Sequence, residues 1–369
     1  MPLSRRRMLT LVGCGSVLAA VGGTAGFLAT RTPHRALAPW DAAGGYADPR
    51  ENALSYALLA PNPHNRQPWL ADLRSPDTVR VLRDRSKNLP ETDPFDRQLT
   101  IGMGCFLELM MIAASQTEHR VELILFPEGE DGPIADAHFV AGGAEPDPLF
   151  ASVPHRRSCK EPFEPQAIEV SKVAALSGLG TVITDPARVA ELRELTWAAW
   201  QIEASTPRTH EESVALMRIG RTEIERNPDG IDLGGPFLEG LSMVGLLSRE
   251  GQIDPTSFEY AEGFRMYEEM LAATPAYVVQ TTVGNSRFDQ IGAGRRWMRL
   301  NLTTTALGLS LHPVSQTLQE YAEMRPYRER AHAMLASKGE TVQMLGRLGY
   351  GPRTPPSPRW PLEAKLVDV

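Results

Sequence analysis

LTIGMGCFLELMMIAASQ, residues 99–116, is the stretch on which the architecture depends. It carries one charge, Glu108, and is too long for a strand, so it predicts a helix apolar on nearly every side. A helix of that kind belongs in a core rather than on a surface. Its opening, Ile101-Gly102-Met103-Gly104, returns 190 residues later as Ile291-Gly292-Ala293-Gly294, at the start of a second predicted helix across 290–307. A strand-like stretch follows each helix, VELILFP at 121–127 and SLHPV at 310–314. The same signature in the same context predicts two related halves.

Working outward, Arg50–Ala60 reads as a helix stopped by Pro61, and Val79–Arg83 as a strand. HFVAGG (138–143), GTVIT (180–184) and AYVVQTT (276–282) read as further strands, and 187–205 as a long helix. Residues 34–48 read as a linker and 354–369 as a proline-rich tail. The halves are then 49–150 and 151–353. Within the second, 207–255 is glycine-rich and twice broken, which suits an inserted lid more than a core layer.

The 369 residues are 42% hydrophobic and 22% charged, with a net charge of −7. These values fit a globular protein with a real core, and they give no basis for nucleic-acid binding. Cys14, Cys105 and Cys159 have neither zinc-site nor Cys-x-x-Cys spacing, so no metal or disulfide framework is expected. Residues 1–33 are different in kind. Ser4-Arg5-Arg6-Arg7-Met8-Leu9 leads into an uncharged run over 8–29 and resembles a twin-arginine export signal, with Met8 and Thr10 where Phe and Lys are usual. A run of this length could also span a bilayer, although its glycines lower its hydrophobicity. The resemblance implies recognition by the twin-arginine machinery and a place in the periplasm or envelope, tethered if the signal is not cut.

Two stretches look like a site. In APNPHNRQPW (60–69), Asn62, Asn65 and Gln67 each carry a donor and an acceptor, and Pro61, Pro63 and Pro68 fix the backbone that presents them. Such amides can read the alternating edge of a polar ring; an ordinary Asn/Pro turn has the same composition. In His155-Arg156-Arg157-Ser158-Cys159-Lys160, several cations and a hydroxyl near a predicted helix make a phosphate clamp. A solvated basic face is the alternative.

Taken together, the stretches resemble the nitroreductase family. Residues 60–69 are similar to its Pro-Ser-x-x-Asn-x-Gln-Pro-Trp segment, with Asn62 for Ser, and Arg156-x-Ser158-x-Lys160 to its Arg-x-Ser-x-Arg flavin-phosphate motif, with Lys for the last Arg. The segments at 294–316 and 346–363 resemble the family too, and Gly349-Tyr350-Gly351-x-Arg353 suggests Arg353 as another phosphate contact. The two motifs stand in reverse order here, and neither is repeated. That matches the Acg-type FMN-binding branch, in which a tandem chain imitates the family's homodimer. The resemblance implies an α+β fold of two α/β/α sandwich halves forming a pseudo-dimer under a helical lid. It implies one FMN held by Pro61, Asn62, Asn65, Gln67, Arg156, Arg157, Ser158, Lys160 and Arg353, and a monomer. The activity implied is flavin-mediated hydride transfer to a nitroaromatic or quinone acceptor; flavin storage without catalysis is the alternative. No catalytic residue is assigned. His64 reads as a loop residue, Cys105 as core filler, and Cys159 as a thiol whose pKa its cationic neighbours lower.

Overall fold

The computed structural model describes residues 30–368, so most of the predicted export signal lies outside the described residues. The apolar stretch that opened the sequence reading is a helix, Arg97–Ser115, buried at every position except Met111. Its first turn is not capped by the preceding residue. Asp93 instead accepts from the amides of Gln98 and Leu99 at 3.1 and 2.9 Å, satisfying donors that the helix cannot.

Around it the first half is built from α1 (His34–Ala42), α2 (Pro49–Ala57), β1 (Trp69–Asp72), β2 (Thr78–Arg83), α3 (the Arg97–Ser115 helix), β3 (His119–Leu125) and β4 (Ala135–Ala141). The second half has α4 (Val170–Ala175) and β5 (Thr181–Ile183). A long insertion follows: α5 (Pro186–Ser205), α6 (Pro207–Ala215), β6 (Met217–Ile219), α7 (Gly220–Arg226), β7 (Ile231–Leu233), α8 (Pro236–Met243), α9 (Arg249–Ile253) and α10 (Phe258–Ala272). The chain then returns as β8 (Ala276–Val283), α11 (Arg287–Ala306), β9 (Ser310–Pro313), α12 (Arg325–Leu335) and β10 (Glu340–Gly349).

The strand orders are β1-β2-β4-β3 and β5-β8-β10-β9, with every neighbouring pair antiparallel. Each sheet places its long helix between its second and third strands in sequence, so the two units have one topology. Two departures in the second unit are the insertion between β5 and β8 and the helix α12 before its last strand. The separate pair β6-β7 is parallel and belongs to the insertion.

The repeated glycines are where the long helices cross. A Cβ on Gly104 would lie 3.0 Å from the Cα of Gly294 and nearer still to the carbonyl oxygen of Ile291. A Cβ on Gly294 would meet Gly104 Cα at 2.9 Å and the Ile101 carbonyl. Only hydrogen fits between these backbones. Around the crossing, Phe106 and Leu109 from α3 share one core with Ile291, Trp297 and Leu300 from α11. Glu108, buried, receives Arg295 at 2.7 Å and Arg299 at 2.9 Å across the same interface.

Several sequence expectations are corrected. Residues 34–48 are not simply a linker: α1 forms despite Pro39 and buries Ala36. Trp69–Asp72, Arg325–Leu335 and Glu340–Gly349 form elements the pattern did not show. Residues 354–369 are not a loose tail. Up to residue 367 the chain runs back along the first unit: Arg359 N donates to Ala36 O, and Ala71 exchanges backbone hydrogen bonds with Lys365 and Val367. Among the described residues one helix, α3, is long and apolar enough to cross a membrane, and it is buried inside the protein.

Candidate functional site

The polar turn at 60–69 is built by strain and by long-range bonds. His64, Asn65 and Gln67 all have positive φ (46°, 51° and 49°), the left-handed region that costs a non-glycine residue roughly 1–2 kcal/mol. Three such residues within four positions persist only because the surroundings hold them. Asn62 Oδ1 accepts from Gln67 N at 2.7 Å and closes the turn on itself. Gly102 of α3 sits beneath it, where a Cβ would be 3.1 Å from the Asn62 Cβ. Its counterpart in the repeat, Gly292, has open space at that point. The turn therefore has a seat on one helix and none on the other.

The structure brings the turn and the basic motif together. Arg156, fully buried, donates from Nη2 to the Leu59 carbonyl at 3.0 Å and from Nη1 to Asn301 Oδ1 at 3.1 Å. Arg157 lies over the Trp40 ring with its Cζ 4.4 Å from the centroid and donates to the carbonyls of Pro154 and Arg156. The Nε–H of each arginine is buried with no acceptor. Burial lowers both guanidinium pKa values, Arg156 to about 10; the charge of Arg157 adds to the effect on Arg156, and that of Arg353 to the effect on Arg157. Among the described residues no carboxylate pairs with Arg156, Arg157 or Arg353. This is a cationic cluster, buried at Arg156 and half-buried at Arg157, with unused donors and no carboxylate paired to it.

Ser158 is half-buried beside these arginines, and Arg353 and Lys160 are exposed. The charge of Lys160 reaches His64, Asp232 and His312. His64 is held at about 4 by desolvation, then by Lys160 and Arg66, so its imidazole is neutral near pH 7. Asp232, in β7, is raised by desolvation although Lys160 pulls it down. His312 is pushed far down by burial, then by Arg347 and Lys160. The turn, the second half and the insertion thus each hold a group on which the Lys160 charge acts.

The amides behave differently from the sequence expectation. Asn65 accepts from Arg359 Nη1 at 2.6 Å and donates to Pro358 O at 3.0 Å. Gln67, fully buried, donates to Pro228 O at 2.6 Å and accepts from Trp360 N at 2.9 Å. Their side chains lock the turn to the carboxy-terminal segment and to the insertion. Pro61 is half-buried at the head of the turn.

Sequence reasoning missed the groups that do this locking. Arg359 donates to the carbonyls of Leu58, Leu59 and Ala60 at 2.8, 3.3 and 3.2 Å as well as to Asn65. Lys365 Nζ donates to Gln67 O at 2.8 Å, and burial lowers it to about 8. From the insertion, Gly230 N donates to Asn65 O, and Asp229 receives Lys87 at 2.5 Å and Arg218 at 3.0 Å. Burial works to raise the Asp229 carboxyl, and those cations with Arg66 hold it below the ordinary range. The composition RW at 359–360 after a proline run was the one available signal.

Cys159 also departs from expectation. Burial raises its pKa and outweighs the hydrogen bonds with Glu161 and Ser310 and the charge of Arg347; burial likewise pushes Cys105, which donates to Gly294 O, up to about 12. Both thiols are free and buried. Two surface grooves of about 520 and 550 Å³ lie elsewhere, one along β5 and β8, the other beside β2 and Arg287. Neither contains a residue the sequence singled out. The arginines of the second are already paired, as in Arg80–Asp136 and Arg83–Asp96, so the unpaired cluster at 156–157 has the stronger claim to an anion. No His/Cys/Asp/Glu group suited to a metal occurs among the described residues.

Over 331 residues the chain is 23% identical to a protein of Mycobacterium tuberculosis strain H37Rv named as an NAD(P)H nitroreductase, covering 85% of this chain and 89% of that one. By sequence the chain is similar to that nitroreductase over most of both lengths. An uncharacterized protein of the same strain is 33% identical to this chain over 81 residues, 21% of this chain and 24% of the relative. Among solved structures, one described as a nitroreductase of Anabaena variabilis matches 80% of this chain and 82% of its own at 12% identity and a TM-score of 0.40. A nitroreductase of Bacteroides fragilis with bound FMN matches 60% and 98% at 12% identity and 0.35. No family model matches.

Proposed function

We propose that the chain is an FMN-binding, nitroreductase-like oxidoreductase of the Acg-type branch, a monomer whose two units form one pseudo-dimer. The observation that carries this is the guanidinium pair, Arg156 buried and Arg157 half-buried, whose buried Nε–H groups lack acceptors beside the 60–69 turn. A flavin phosphate supplies the anion and the acceptors that this cluster lacks. The shared strand order and the glycine crossing support the pseudo-dimer, and the seat at Gly102 without a counterpart at Gly292 supports a single site.

In this reading Arg156 and Arg157 hold the phosphate, with Ser158 and Arg353 at its edge. Lys160 supplies positive charge towards the ring. Asn62, Asn65 and Gln67 act mainly by fixing the turn, so that backbone groups at 61–67 face the ring in one conformation. His64, neutral near pH 7, carries no charge into the cleft. Bound FMN would supply a two-electron carrier that accepts hydride and passes it to a nitroaromatic or quinone. Within the insertion, residues 207–255, anchored through Asp229 and Gly230, serve as lid. Export by the twin-arginine route would carry the folded, loaded chain outward, with its electron donor set by the compartment.

The test is the absorbance spectrum of the purified chain reconstituted with FMN, with flavin-to-chain stoichiometry. One FMN per chain, bleached by NAD(P)H and restored by a nitroaromatic or quinone, is expected. A colourless chain overturns the flavin assignment, and two flavins per chain overturn the single site. One flavin that resists chemical as well as nicotinamide reductants marks a storage protein instead.

A further inference from the structure

We infer that the exposed apolar face of α8 and the turn after it rests on a lipid bilayer, beside the point where the uncharged amino-terminal run enters the fold. This goes beyond the flavin reading and does not depend on it. Residues 236–247, PFLEGLSMVGLL, contain one charge, Glu239. That charge is already met, since Glu239 Oε1 receives Arg31 at 2.7 Å and Oε2 accepts from Arg221 N at 3.2 Å. What remains outward is apolar. Phe237 is 67% exposed, Met243 and Val244 each 68%, and Leu246 50%, while no residue of α8 is buried. Single exposed apolar residues are ordinary, but four within ten positions on a charge-free face mark a surface meant to be covered.

The position of the amino terminus selects the cover. Residues 8–29 are uncharged over a length sufficient to span a hydrocarbon layer. The described chain begins immediately after them, and its first residues are fixed to the insertion: Arg221 Nη1 donates to Thr30 O at 2.8 Å, and Arg31 pairs with Glu239 in the middle of α8. Whatever apolar phase receives residues 8–29 therefore meets the protein at α8. A short apolar wedge next to a run long enough to enter a bilayer adds the second contact that firm, oriented attachment requires. The same insertion holds the polar turn through Gly230 and Gln67, so the bilayer and the site would share one element.

The experiment uses the full chain carrying Cys14→Ser, with Val244→Cys labelled by an environment-sensitive fluorophore; Cys105 and Cys159 are buried and stay unlabelled. The protein is reconstituted in phosphatidylcholine–phosphatidylglycerol vesicles with a lipid-borne nitroxide quencher. The control is Ile124→Cys, 52% exposed on β3 of the other sheet. Quenching at Val244→Cys at least about twofold that at Ile124→Cys, repeated with Phe237→Cys, is expected for a surface lying in the interface. Equal quenching at both sites overturns the proposal. So does shielding of the Val244→Cys label by added FMN in detergent without vesicles, which would make α8 an inner wall of the cleft. Shielding that rises with protein concentration at constant lipid identifies a second copy of the chain and also overturns it.

Discussion

Gly104→Ala and Gly292→Ala place the same methyl group on two helices with opposite expected results. In an isolated helix alanine is favoured over glycine by about 1 kcal/mol. At Gly104 the added carbon would lie 3.0 Å from Gly294 Cα and nearer to Ile291 O. Ordinary carbon–carbon contact is about 3.5–4.0 Å, so the two backbones must part by roughly 0.5–1 Å. Overpacking of this kind costs about 1–3 kcal/mol, and the upper end applies because the opposing atoms are backbone and cannot rotate away. Separation also stretches the Cys105–Gly294 hydrogen bond and the Glu108 ion pairs across the interface. After the propensity gain, Gly104→Ala is destabilised by about 2 kcal/mol. Gly292, with nothing within reach of its Cβ, gains about 0.5–1 kcal/mol instead. Urea midpoints of wild type and the two variants, measured side by side, check this. The double variant Gly104→Ala/Gly294→Ala should lose less than the sum of its parts, since the helices have already moved. Should Gly104→Ala unfold at or above the wild-type midpoint, the glycine repeat is not a contact device and the reasoning fails.

Arg359→Ala leaves the carbonyls of Leu58, Leu59 and Ala60 without their buried donor and should cost roughly 3–5 kcal/mol, with protease cleavage appearing in 58–67. Inorganic phosphate should raise the melting temperature at constant ionic strength by neutralising Arg156 and Arg157, and Arg157→Ala should remove most of that rise; an unchanged rise would separate phosphate from this cluster. Glu203, buried on α5, is raised to about 7 by burial while Gln319 donates to it. Its folded pKa exceeds its unfolded one, so its contribution is fully present below about 4.5 and is lost as pH rises through about 7, by an amount on the order of 3 kcal/mol. Glu203→Gln should flatten that loss in stability measured across this range, and a parallel decline in both proteins would contradict it.

The sequence shows those parts of the fold that repeat or that are apolar throughout. Helices α3 and α11 and strands β2, β3 and β8 stood out because one period of hydrophobicity governs each. Strand β10 did not, since Gln343 and Arg347 sit in its buried register. They are tolerable there only because Thr282, Thr274, His312 and Glu161, distant in sequence, meet them. Helix α1 was hidden by Pro39, and β1 by having four residues. At the site, the cations of 156–160 and the turn of 60–69 were legible as chemistry. Which amide is committed to protein and which guanidinium is left over depends on Arg359 and Lys365, and no local pattern pairs residue 67 with residue 365.

That pairing orders events in time. The turn at 58–67 is synthesised about 300 residues ahead of Arg359 and Lys365, the groups that hold its left-handed backbone. A nascent chain that has not yet reached residue 365 lacks the donors that fix this loop. The turn can therefore lock only after every strand of both sheets has been synthesised, because Arg359 and Lys365 follow the last of them.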